Sequence, residues 1–344
     1  FVIDGSLCLF FQVNTFFSRG VNLTFFRAAP SLLSVVVILA AFFVIPQIRD
    51  RELRSKKILL AITVAIFILT TLFISLPLFH YKPARLEVFF LDVGQGDSQI
   101  VVFPGGEALL IDGGGSYYSD FEVGKQVLLP FILQQRIKIK WAAVSHYHPD
   151  HARGLCEILA VIKPEELWLS SEAQEDSFYK SLVKQAEEGR KIKIKKLDSS
   201  FSKVIGDCRV ECLFPRQFII ADYSHNNHSQ VLQVSDRYHS FLFSGDIEAE
   251  IEEYLVRNSC KKLRSDVLKV PHHGSKSSSS LVFLRCVDPA LAVYSYARSN
   301  RFNFPHPGVI ENYKIRGVNT LAAAERGGIK VISLPGRIEI ETTR

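Results

Sequence analysis

The chain has no methionine and only two tryptophans in 344 residues. Its six cysteines, Cys8, Cys156, Cys208, Cys212, Cys260 and Cys286, form no C-x-x-C pair and none stands beside the histidine cluster described below. That spacing argues against a zinc ribbon and against a disulfide-dense secreted scaffold. Cys208 and Cys212 share one parity on an expected strand and lie too far apart to bridge each other, so cysteine usage alone does not define a redox compartment. No glycine-rich dinucleotide fingerprint follows any expected strand. A formal net charge of +6 and a pI near 8.9 mildly favour an anionic partner. A membrane protein carries the same excess of Lys and Arg.

Residues 58–79 lack any charge. At 1.5 Å per residue such a helix covers a hydrocarbon core of roughly 30 Å, and we expect it to span a membrane. Residues 31–45 are almost wholly apolar but short, bracketed by Pro30 and Pro46. Residues 1–27 mix Phe with polar side chains in the manner of an interfacial or interior-facing helix, and no basic n-region opens them as in a signal peptide. Arg49, Arg51, Arg54, Lys56 and Lys57 precede the 58–79 run, against Lys82 and Arg85 after it. This bias puts 47–57 in the cytoplasm and the long C-terminal region outside. The apolar start at Phe1, without methionine, leads us to expect a piece of a longer protein. The expected division is a membrane segment over 1–85, the end of a multi-span region, and a second domain over 86–344, a size that builds its own core.

In that second domain, His146, His148, Asp150 and His151 fall within six residues, directly after the apolar run 141–144. Imidazole and carboxylate are ligands for zinc, manganese or iron. His146 and His148, two apart, can point the same way from an extended loop. Asp150 and His151 diverge and can serve a second ion, before a helix able to begin at Ala152. Strands are expected over 86–90, 99–103, 108–111, 192–194, 210–214, 230–234, 240–243, 267–270, 290–294, 328–334 and 337–341. Helical spacing covers 124–135, 154–162 and 172–188. Asp112, Asp246 and the pair His272–His273 each stand just beyond an expected strand. Lys191, Lys193 and Lys195 alternate with isoleucines and read either as a solvated face or, with Arg136, Lys138 and Lys140, as a rim that tracks phosphates.

The H-x-H-x-D-H run resembles the metallo-β-lactamase superfamily. The stretches LDVGQGDS (91–98), LIDGG (110–114), SGD (244–246) and LKVPHHGS (268–275) narrow the resemblance to the C-terminal domain of the ComEC family, the DNA-uptake channel proteins. The resemblance runs from about Leu86 to the C-terminus. It implies an α/β fold, the αββα sandwich, preceded by transmembrane helices. It also implies two divalent ions, zinc or manganese, held by His146, His148, Asp150, His151, Asp246 and one of His272 and His273. Strand parity favours His272, which continues Leu268 and Val270. His228 and Asn226 are alternatives for the remaining ligand. Asp112 would buttress the metal site, and we place Asp97 beside it. ComEC-like sequences often carry Asp where His148 stands, so the histidine favours a competent site.

Asp150 would act as ligand, base or both, and His306, which matches a family histidine, would ligate phosphate or protonate the leaving oxygen. Ser275 with the serines of 277–280, Asn300 and the lysines would contact substrate. The implied activity is a metal-dependent nuclease tethered to a DNA-uptake channel in the bacterial cytoplasmic membrane, its hydrolase domain on the extracytoplasmic side. Single- or double-stranded DNA, the membrane and other competence proteins would be its partners. The competing readings are a membrane-anchored hydrolase of a lactone or thioester, and a non-catalytic domain that holds DNA.

Overall fold

The computed structural model describes residues 80–116, 118, 120–170, 176–188, 192–216 and 224–344, together with Ile62 and Ala65. The expected membrane span over 58–79 and Lys191 therefore lie outside the described residues, those two positions apart. Among the described residues no helix is long and apolar enough to cross a membrane. The unit His80–Arg344 is built on two sheets. The first has the strand order β15 (Arg337–Thr342), β14 (Ile329–Leu334), β1 (Glu87–Phe90), β2 (Gln99–Val102), β3 (Glu107–Ile111), β4 (Lys138–Ala143), β5 (Glu166–Ser170), β6 (Lys193–Leu197). The second runs β13 (Asn319–Ala322), β12 (Leu291–Tyr294), β11 (Val267–Lys269), β10 (Ser240–Phe243), β9 (Val231–Ser235), β8 (Cys208–Phe214), β7 (Ser202–Ile205).

Period-two alternation explains why the central strands of both sheets are largely apolar, in contrast to the edge strands β6, β7, β13 and β15. On β1, Val88 and Phe90 enter the core between the sheets while Phe89 faces the outer helical layer. On β10, Phe241 and Phe243 meet that same central core while Leu242 faces the opposite layer. A strand covered on both sides has no polar face to show. Phe90 stacks on Phe243 across the gap at 6.2 Å, and within the first sheet Trp141 stacks on Trp168 of the neighbouring strand at 6.2 Å. Helices α1 (Leu129–Gln134), α2 (Pro149–Ile162) and α3 (Ser177–Glu188) cover the first sheet. Helices α4 (Ala249–Leu263), α5 (Leu281–Val287) and α6 (Pro307–Ile315) cover the second, and α7 (Ala323–Arg326) is one short turn. Two sheets face to face with helices outside give the αββα arrangement.

Two local differences from the sequence reading have physical causes. The stretch expected as one helix over 124–135 is a wide turn, Gly124–Leu128, continuing into α1, because Pro130 has no N–H for the helical ladder. Helix α2 begins at Pro149 rather than Ala152. Proline at the first helical position has its φ pre-set and loses no hydrogen bond there, so Asp150 and His151 sit in the first turn. Leu155, Ile158 and Leu159 are the buried stripe that packs this helix on the sheet.

Strands β3 to β6 are mutually parallel, as are β10 to β13. Strand β1 runs with β3, since each is antiparallel to β2. The carboxyl ends of β1, β3 and β4, and those of β10, β11 and β12, therefore deliver their loops to one edge, where open α/β sheets hold ligands.

Candidate metal centre

The loops after these strands carry the residues of the cluster. β3 delivers Asp112 in a left-handed conformation, φ 58. One of its oxygens accepts from Ser145 N at 2.7 Å, and the other accepts from Ser145 Oγ at 2.7 Å and lies 2.8 Å from His151 Nδ1. β4 leads to His146, whose Nε2 lies 3.0 Å from Nδ1 of His148. Gly96, φ 130, lies so close to the Asp150 carbonyl that a Cβ there would collide with it. Asp97 N donates to that same carbonyl at 3.1 Å, which ties the loop after β1 to the start of α2.

The second sheet supplies the other half. Asp246 follows β10, and its Oδ2 lies 3.2 Å from Nε2 of His151 and 3.2 Å from Nε2 of His273. His273 Nε2 is also 3.4 Å from Asp150 Oδ2. On its other side His273 Nδ1 meets Ser295 O at 2.8 Å. Both imidazoles are thus oriented through Nδ1, by a carboxylate and by a carbonyl, with Nε2 turned inward, the arrangement of metal-ligating histidine. Ligand atoms of Asp97, His151, Asp246 and His273 all lie within 4.8 Å of one another. Asp97, however, approaches the Nδ1 side of both rings, at 3.8 and 3.7 Å, and pairs with the ammonium of Lys269. It therefore backs the cluster, whereas Asp150 and Asp246 face the Nε2 atoms.

Strand parity favoured His272, but the structure turns His273 inward. The turn Pro271–Gly274 has φ of 47 at His272 and 54 at His273, so the alternation of β11 does not carry through Pro271. His272 instead lies at the rim, 3.4 Å from Glu248 Oε1 and 4.0 Å from Asp246 Oδ2. Of the two alternatives after β8, Asn226 lines the cavity and its Nδ2 is 3.4 Å from His272 Nε2. His228 offers its carbonyl to Ser170 Oγ at 3.1 Å and does not line the cavity. His306, expected to act on the leaving group, is exposed and caps α6, its Nδ1 accepting from Gly308 N at 3.2 Å. Asn300 spends its amide on its own loop: Nδ2 donates to Ala297 O and Phe304 O, both at 2.9 Å, and Oδ1 accepts from Phe304 N at 2.8 Å. Ser275 is buried, its Oγ 3.0 Å from Ser277 Oγ. Of the basic rim, Lys195 pairs with Glu166 at 3.6 Å and Lys140 with Glu107 at 2.5 Å, while Lys193 is exposed. Neutralised lysines make a weaker phosphate track than the sequence suggests.

Three features escaped sequence reading. Lys269 is fully buried beneath the cluster, its Nζ donating to Gly245 O at 3.0 Å and lying 3.4 Å from Asp246 Oδ1. His225 stacks on His148 at 5.7 Å, 7° from parallel. Phe302 and Phe304 wall the cavity. Only a buried lysine after an apolar strand, always in need of a partner, was a usable signal.

Electrostatics follow from this burial. Desolvation drives the His146 imidazolium well below its ordinary range, keeping the ring neutral. Burial opposes protonation at His273 too, but Asp246 and Asp97 outweigh it and raise the ring to about 10. At His151 burial is likewise outweighed, by Asp246 and Asp112, and its value is raised well above the ordinary one. Asp246 loses to burial but gains more from His151, His273 and Lys269, and is held well below the usual carboxylate range.

The residues fit a metal centre. Nε2 of His151 and of His273 converge on Asp246 Oδ2 at 3.2 Å each, and Oδ1 of Asp150 is buried without a hydrogen-bond partner, an arrangement costly unless something else binds it. A cavity of about 210 Å³ opens on Asp150, Asp246, His148, Asn226, His272 and His273.

Fold and site together are those of the αββα metal-dependent hydrolase fold with a candidate metal centre, and residues 91–298 match the Metallo-beta-lactamase superfamily. The chain belongs to that superfamily. It is 32% identical over 257 residues to ComE operon protein 3 of Bacillus subtilis (strain 168), covering 71% of this chain and 32% of that protein. It is 31% identical over 261 residues to Recombination protein 2 of Haemophilus influenzae (strain ATCC 51907 / DSM 11121 / KW20 / Rd), covering 75% and 30%. With Competence protein ComA of Neisseria gonorrhoeae it shares 35% identity over 105 residues, covering 30% and 15%. The chain thus spans about a third or less of the length of these relatives. The ComEC resemblance read from the motifs is borne out.

Proposed function

We propose that this chain carries a metal-dependent phosphodiesterase that acts on DNA at a bacterial membrane uptake channel, with residues 86–344 as its hydrolase domain and 1–85 as the end of the membrane region. The observation that carries the reading is the convergence of two inward-turned imidazoles, His151 and His273, on one oxygen of Asp246, beside His146 and His148. His146, His148 and Asp246, completed by Asn226, would hold one divalent ion. Asp150, His151, Asp246 and His273 would hold a second. Zinc or manganese suits this donor set. When bound, such a pair of ions lowers the pKa of water and neutralises charge developing on a phosphoryl oxygen.

The chain's own groups do the remaining work. Asp112 and Ser295 fix the ring orientations of His151 and His273. Lys269 holds Asp97 and Asp246 in register from below. Asp150 Oδ1, unpartnered at the cavity, takes the proton of the attacking water. At the rim, His272, beside Glu248, would contact the leaving oxygen. Relatives named for competence and recombination support DNA as the substrate class. The disulfide Cys260–Cys286 supports an oxidising, extracytoplasmic location.

The test is turnover by the purified full chain, loaded with zinc or manganese, of single-stranded DNA, a lactone and a thioester side by side. Hydrolysis of the DNA is expected. A chain that opens the lactone or thioester and leaves DNA intact would replace this reading with the small-substrate hydrolase.

A further inference from the structure

Beside the metal pocket lies a second cavity, of about 250 Å³, and the two share Gln95, Tyr118, Asp150 and Phe302. Together they form one cleft running from the ligands outward along an aromatic ladder. The ring of His273 is 6.2 Å from Phe304 at 30°, and Phe304 stacks on Phe302 at 5.3 Å and 18°. Phe304 thus props the outer ring, and Phe302 remains 42% exposed. Arg301 lies over Tyr118, its guanidinium carbon 3.5 Å from the ring centroid, and both residues line the second cavity. The loop that presents these residues is fixed. Ala297 N donates to Gln95 Oε1 at 3.3 Å, Asn300 staples the middle, and His306 N donates to Gly274 O at 2.8 Å.

We propose that this second cavity is a nucleobase subsite: a base of a single-stranded polynucleotide stacks on Phe302 while the neighbouring phosphate reaches the metal pocket. This rests on the phosphodiesterase reading and names how that site holds its substrate. An exposed, rigidly propped aromatic ring at the mouth of a hydrolytic pocket, with a guanidinium beside it, is the chemistry that binds single strands without regard to sequence, since every base has a π-face. It also gives the Asn300 loop a purpose that a small diester or lactone would not need. The assignment moves substrate contact from the partly neutralised lysines of β6 to the rim of the metal cavity.

The experiment measures binding of the full chain, with metal chelated so that strands stay intact, to a fluorescent oligothymidine and to an abasic strand of the same length. Phe302→Ala should weaken oligothymidine binding roughly tenfold or more, the loss expected for one base-stacking ring. It should leave the abasic strand almost unaffected, and Phe302→Tyr should restore binding. Equal losses on both strands would mean a disturbed loop rather than lost stacking, and would overturn the subsite, as would no loss on either. In both cases metal-dependent cleavage of DNA by the wild type keeps the phosphodiesterase reading standing. A wild type that binds neither strand overturns the subsite, and the phosphodiesterase reading is then decided by cleavage with the metal-loaded chain.

Discussion

Asp112 Oδ2 lies 2.8 Å from His151 Nδ1, behind the ring whose other nitrogen faces Asp246. The carboxylate fixes both the tautomer and the direction of the imidazole. We expect Asp112→Asn to reduce metal affinity about 10- to 100-fold, and to lower the thermal transition of the chelated protein because a buried charge pair is broken. Competition against a chromogenic chelator measures it. Unchanged affinity would show that His151 needs no such support.

Sequence pattern captured the parts of this site that follow local rules. The candidate ligands His146, His148, Asp150, His151 and Asp246 all stand just past apolar strands, and the structure brings these residues to one sheet edge. What pattern missed is set by backbone away from strand geometry. His273 turns inward because two consecutive residues adopt left-handed φ, a conformation no parity rule anticipates. His306 looked functional in a polar stretch, yet the turn before α6 uses it as a cap. Asn300, a substrate contact by sequence, has its amide consumed by loop closure. Cys260 and Cys286, 26 residues apart, pair only because α4 packs on α5, a contact between helices that the strand-dominated reading did not place.

Metal binding should release protons. His273, raised to about 10, and His151, raised well above its ordinary value, are protonated in the metal-free chain at neutral pH and must lose those protons to ligate. Apparent affinity therefore rises with pH towards about 10. Calorimetry in buffers of different ionisation enthalpy should record about two protons released on loading. Binding heats independent of buffer would contradict this.

Glu252 is a second titrating group, far from the ligands in role. Its two oxygens accept from Ser279 N at 2.5 Å and Ser280 N at 2.8 Å, and burial nonetheless raises the carboxyl from 4.5 to about 7. Between those values the unfolded chain has released the proton and the folded chain keeps it. Stability from this group is thus full below about 4.5 and declines as pH rises to about 7. In thermal melts across that window Glu252→Gln should show a flatter pH dependence than the wild type, whatever its absolute level. Parallel curves would remove the assignment.

The Cys260–Cys286 bridge closes a loop between α4 and α5. For a loop of that length the chain-entropy account gives roughly 3 kcal/mol of stabilisation. Cys260→Ser with Cys286→Ser should lower the denaturation midpoint accordingly, and the wild type under reductant should match the double variant. A midpoint insensitive to both would show that helix packing alone secures this corner.

Metal-dependent cleavage is tested by stepwise reloading. The metal-free full chain is titrated with manganese while cleavage of single-stranded DNA and bound metal are followed together. No cleavage is expected without metal, activity should rise as two ions bind per chain, and His146→Ala and Asp246→Ala should show none at any concentration. Cleavage that persists under chelation, or survives in Asp246→Ala, would contradict it.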